Sequence, residues 1–85
     1  MTKAKRQEIH KHGYNLCDWA IDVNMKGEQE SNGSTEHLME YQGKYYFVQV
    51  SWEGKIGRVA EINPNDLDKD DSIYLAIKTY EKFVG

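Results

Sequence analysis

Residues 36–62 read EHLMEYQGKYYFVQVSWEGKIGRVAEI, and this stretch decides the fold class. β-Branched and aromatic side chains crowd it, and two breaker sites, Gln42-Gly43-Lys44 and Glu53-Gly54-Lys55, cut it into three runs. The pattern predicts a three-stranded antiparallel meander over about 37–41, 45–53 and 56–62. In the middle run Tyr46, Val48, Val50 and Trp52 fall on one face, and Tyr45, Phe47, Gln49, Ser51 and Glu53 on the other. The first set is the expected core, which leaves Tyr45 and Phe47 on an open face. The second hairpin has two registers open to it, because a two- or three-residue loop at Gly54 reverses which of Val59 and Ala60 points inward.

Helical patterns flank the meander. Residues 3–12 are polar and rich in helix formers, with Thr2 as a cap and Gly13 where a helix stops. Residues 14–27 carry two periods at once: Cys17, Trp19, Ile21 and Val23 alternate like a strand, while Asn15, Asp18 and Asp22 share a helical face. Asn15 and Asp18 fit a capping box, Tyr14 and Trp19 a hydrophobic staple, and Gly27 an exit, so residues 16–26 are expected to be a second helix. Gly27–Thr35 is polar and breaker-rich and reads as a loop within one domain. After Asn63-Pro64, the recurrence of Ile73, Ala76, Ile77, Tyr80 and Val84 predicts a final helix over 71–83. The expectation is a single α+β domain over residues 1–85, in the order ααβββα.

The chain has 85 residues, 39% of them hydrophobic, enough for one core. A domain of this size buries only about 60–65% of its unfolded surface. The net charge of −3 conceals an uneven distribution. In residues 1–12, Lys3, Lys5, Arg6 and Lys11 face only Glu8, a net +3. In Glu61–Asp71, the carboxylates Glu61, Asp66, Asp68, Asp70 and Asp71 face only Lys69, a net −4. Overall acidity argues against a sequence-independent nucleic-acid binder, whose affinity comes from neutralising phosphates. The lone Cys17 permits no intrachain disulfide, and no apolar run approaches the roughly 18 residues of a membrane span. With no apolar segment after the basic start, the expectation is a cytoplasmic, non-membrane protein.

The search for chemistry yields little. His10, His12 and Cys17, with His37 at a distance, are metal-ligand types, but residues two apart on a helix point in different directions. Asp66, Asp68 and Asp70 match positions 1, 3 and 5 of a calcium loop, yet Asp71 stands where its Gly is required and Ile77 where its bidentate Glu is required. Cys17 has no nucleophile motif around it, and no P-loop, Gly-x-Gly-x-x-Gly or His-Glu-x-x-His sequence occurs. Neither a catalytic residue, a metal nor a cofactor is assigned.

The order of a helix, a three-stranded meander and a final helix resembles that of double-stranded-RNA-binding domains. Such domains carry basic residues at the start of the last helix, where phosphates dock. This chain has Asp66, Asp68, Asp70 and Asp71 there, so RNA binding is not carried over. Five carboxylates exceed what a helix start needs. In size and charge the chain also resembles small acidic inhibitors encoded by phages and other mobile elements, including anti-CRISPR and anti-restriction proteins. The expected function is a non-enzymatic protein-binding module. Its acidic ridge, Glu61, Asp66, Asp68, Asp70 and Asp71, would dock on the basic groove of a larger nucleic-acid-binding protein, with Tyr41, Tyr45 and Phe47 as anchors. The alternative is an accessory protein contacting nucleic acid through Lys3, Lys5, Arg6 and Lys11. The aromatic face would serve a homodimer equally well.

Overall fold

The computed structural model describes residues 1–21, 34–51 and 54–85. Helix α1 spans Lys3–His12; the Thr2 hydroxyl accepts from the Lys5 amide at its start, and the Gly13 amide donates to the Ile9 carbonyl at its end. A Cβ on Gly13 would lie 2.5 Å from that carbonyl oxygen and 3.2 Å from the Glu40 carbonyl, so the chain turns there in a space only glycine fits. Four antiparallel strands follow in sequence order across one sheet: β1 Tyr14–Ile21, β2 Ser34–Tyr41, β3 Lys44–Ser51 and β4 Ile56–Ile62. A 3-10 turn at Pro64–Asp66 leads to helix α2, Ser72–Val84.

The α+β class and both terminal helices are as the sequence implies, but the described residues form four strands in place of the expected three. The expected helix over 16–26 is instead strand β1 as far as Ile21, and its remainder, with Val23 and Gly27, lies outside the described residues. A β-bulge is the reason. Tyr14 pairs with Glu40 and Cys17 with Leu38, the register shifting between Asn15 and Cys17, so residues three apart face the same side and imitate a helical repeat. The would-be capping pair survives as a local bond in which the Asn15 amide donates to Asp18 at 3.0 Å. The would-be staple separates: Tyr14 stacks on Tyr80 at 5.2 Å between centroids, while Trp19 meets Phe47 edge-on at 5.9 Å. With a strand where that helix was expected, the order on which the RNA-binding-domain resemblance rested does not hold.

β2 extends back to Ser34 and Thr35, taking both from the expected loop, of which residues 27–33 lie outside the described residues, as do Trp52 and Glu53. The β2–β3 turn places Gln42 at φ 54° and Gly43 at φ 83°, the positive pair of a tight two-residue hairpin. In the second hairpin Val48 opposes Val59 and Val50 opposes Ile56, so β4 carries one extra residue. That bulge turns both Ile56 and Val59 toward α1, whereas Ala60 pairs with Phe47 on the opposite face.

Both sheet faces are covered. Ile9 of α1 packs with Met39, Tyr46, Val48 and Val50, while Ile77 of α2 packs with Leu38 and Tyr45. Tyr45 is only 7% exposed, so the face expected to be open is a second core. Val84, expected in the α2 core stripe, is exposed. Ile9 and Ile77 are fully buried, one per face. Ile9→Ala and Ile77→Ala should therefore each lower stability by about 2–5 kcal/mol, comparable with the whole stability of many small domains. Urea unfolding of each variant checks this; a loss on one face alone would mean the other helix is not docked.

Candidate functional site

The acidic stretch begins at Glu61, which is exposed near the end of β4 and meets Lys44 at 4.0 Å. The Asn63 side chain then accepts from the Asn65 amide, Pro64 opens the 3-10 turn, and the Leu67 amide donates back to the Pro64 carbonyl. Leu67 packs into the α2-side core and anchors the connection. The Asp71 amide donates to the Asp68 carbonyl at 3.0 Å, and the Asp71 carboxylate caps α2 by accepting from the Ile73 amide at 2.8 Å. Asp71 thus has a structural role. Asp66, Asp68 and Asp70 are exposed, and none of them forms an ion pair among the described residues.

The three expected aromatic anchors are used internally. Tyr45 donates to Glu81 at 3.0 Å beneath α2, and Phe47 is half-buried against Trp19. Tyr41 lies on the opposite face, where its hydroxyl donates to Glu8 and the Lys5 ammonium sits 5.2 Å from its ring centroid. Lys5 also approaches Glu8 at 3.9 Å, so this member of the basic helix is engaged. Tyr80 donates to Glu40 at 3.0 Å, which completes a polar seam between α2 and the sheet. Burial, then the Glu81 hydrogen bond, hold the Tyr45 phenol well above its ordinary range; the Glu8 bond raises Tyr41 and the Glu40 bond raises Tyr80.

The catalytic residue types stay dispersed. Burial, aided by Asp18, pushes the Cys17 thiol up, opposite to the shift that activates a nucleophile. The His10 and His37 rings lie 6.1 Å apart, and His37 meets Asp18 at 3.6 Å. Among the described residues no three His, Cys, Asp or Glu side chains gather as a metal site would require.

Sequence reasoning missed the apolar surface beside the acids. A groove of about 430 Å³ runs between α2 and β1, lined by Tyr14, Leu16, Leu75, Ala76, Tyr80 and Phe83, with Ser72 also in its wall. Its rim is unusually apolar for a surface: Tyr14 is 56% exposed, Leu75 52% and Phe83 85%. Among the described residues β1 is an edge strand, with β2 as its only neighbour. Ser72 directly follows Asp70 and Asp71, so the carboxylates lead into the groove. The available signal was Leu75 and Phe83, apolar residues off the Ile73, Ala76, Ile77 and Tyr80 stripe. No protein-family model, curated protein or solved structure matches the chain.

Substitution separates the structural acid from the exposed ones. Asp71→Ala should cost about 0.5–2 kcal/mol through loss of the cap. Asp66→Ala, Asp68→Ala and Asp70→Ala should each stay within about 0.5 kcal/mol. Chemical denaturation distinguishes the two classes. Tyr45 adds a pH dependence. Because the folded chain keeps its phenol neutral beyond the pH at which the unfolded chain ionises it, near pH 10, the associated stability is intact below about pH 10 and falls as pH rises further. Tyr45→Phe should reduce that alkaline decline, as read from urea midpoints on either side of about pH 10.

Proposed function

We propose that this chain is a non-enzymatic protein-binding module that docks on a basic groove of a larger protein. The observation that carries the reading is the continuity of two exposed features: the segment bearing the exposed carboxylates Asp66, Asp68 and Asp70 leads along the chain to Ser72, which lines an exposed apolar groove. Stable interfaces combine an apolar centre with a polar rim, and a few large side chains carry most of their energy. Phe83, Leu75 and Tyr14 supply the anchors in place of Tyr45 and Phe47, and the aspartates supply steering toward a cationic surface. A groove rich in Lys and Arg is the usual phosphate-binding surface of a nucleic-acid-binding protein. Carboxylates seated there would exclude phosphate, which makes the module an inhibitor of the kind that phages and mobile elements direct against host defence. Glu61, already beside Lys44, contributes at the margin, and Asp71 contributes as the cap that orients α2.

Affinity capture from the source cells, with the wild type beside an Asp66/Asp68/Asp70→Asn variant and a Phe83→Ser variant, tests this. Both variants should lose the same cationic partner. Its purified complex with the wild type should weaken with salt, and each variant should raise Kd by about tenfold or more. Capture of identical proteins by all three would remove the acidic surface and the groove from the function.

A further inference from the structure

We infer that the cavity between the β2–β3 turn, the end of β4 and the second half of α2 is a binding site for a small zwitterion, an α-amino acid with an aliphatic side chain. The cavity has a volume of about 320 Å³, where the size range of small-molecule sites begins, and its wall includes Lys44, Glu61, Ile62, Pro64, Lys78 and Glu81. All of its lining residues are among the described ones, and it lies at the end of the sheet opposite the β3–β4 turn. The β2–β3 turn is pinned by the Gly43 amide, which donates to the Glu40 carboxylate at 2.7 Å, and Lys44 follows it, 4.0 Å from Glu61. On the α2 side, Lys78 donates to one Glu81 oxygen at 3.2 Å and the hydroxyl of buried Tyr45 donates to the other at 3.0 Å. Four charged groups from three elements therefore meet around one cavity, two of each sign.

That balance selects the ligand. A plain anion entering the cavity would be repelled by Glu61 and Glu81, and a plain cation by Lys44 and Lys78, whereas a molecule carrying both charges is attracted at both ends. The two internal pairs are unlike. Lys78 and Glu81 are within hydrogen-bond distance, and Tyr45 holds the carboxylate in place. Lys44 and Glu61 stand 4.0 Å apart, beyond the roughly 2.7–3.2 Å of an N–H···O bond, and their side chains are 61% and 52% exposed, so their pairing contributes little that a ligand would have to replace. An α-amino acid carries its carboxylate and ammonium on one carbon. It can lie head to tail against this open pair, with its carboxylate accepting from Lys44 and its ammonium donating to Glu61, which closes a ring of alternating charges. The Asn63 Oδ1 already accepts from the Asn65 amide, so the group Asn63 offers a ligand is its Nδ2 donor, again suited to a carboxylate. Ile62 and Pro64 give the wall apolar surface for an aliphatic side chain. The cavity is separate from the α2–β1 groove, and the inference does not rest on the protein-binding reading.

The test is a titration of the full chain with L-valine at about 0.15 M salt, followed by backbone amide chemical shifts. Saturable shifts of Lys44, Glu61, Ile62 and Asn63, with a dissociation constant on the order of 1 mM or tighter, are expected. Isovalerate, which is valine without its ammonium, and isobutylamine, which is valine without its carboxylate, should each bind about tenfold more weakly or worse. Lys44→Gln and Glu61→Gln should each weaken valine binding about fivefold or more with an unchanged circular dichroism spectrum. Lys82→Gln, which removes a charge from α2 outside the cavity, should change it less than about twofold. Three outcomes would overturn the assignment: no saturable shifts around the cavity, binding of isovalerate or isobutylamine as tight as that of valine, or an equal loss in Lys82→Gln.

Discussion

The pairing of β2 with β3 is the interaction on which the rest of this structure depends. Leu38 opposes Phe47 and Met39 opposes Tyr46, so consecutive residues of both strands feed opposite cores. A strand pair buried on both faces needs a cover on each, and α1 and α2 supply one each. Ile9 and Ile77 are the fully buried contacts those helices contribute. Burying such a side chain supplies about 1.5–3 kcal/mol, a large share of what a domain this small has in excess of its conformational entropy.

That arrangement pushes recognition to the periphery. The broad sheet faces are occupied, and the tyrosines beneath α2 are bound to Glu40 and Glu81. Among the described residues, the exposed apolar surface lies in the groove between α2 and β1, next along the chain to the acidic connection.

The sequence conveyed local signals well and tertiary ones poorly. Thr2 and Gly13 bounded α1, Gln42-Gly43 marked its hairpin turn, and the Ile73, Ala76, Ile77 and Tyr80 stripe identified the buried face of α2. β1 was misread because the cap and staple residues Asn15, Asp18, Tyr14 and Trp19 outweighed the strand-like alternation of Cys17, Trp19 and Ile21; the bulge sets Asn15 and Asp18 on one side, and that spacing of three reads as a helix until the opposing strand is known. Tyr45 and Phe47 illustrate a second limit: alternation separates two faces but does not reveal whether a distant helix covers the other. In the candidate site the acids were legible, but the structural role of Asp71 required its bond to the Ile73 amide. The meeting of Lys44 and Glu61 with Lys78 and Glu81 depends on folding α2 against the sheet, which no local pattern encodes.

The most direct measurement of the central claim is a set of proton–proton Overhauser contacts in solution, recorded with labelled Ile, Leu, Val and Met methyls. The account predicts contacts from Ile9 to Met39 and Val48, and separately from Ile77 to Leu38 and the Tyr45 ring. If Ile77 lacked contacts to the sheet, or if both isoleucines contacted the same face, the two-core arrangement would be contradicted and Tyr45 and Phe47 would return to the surface.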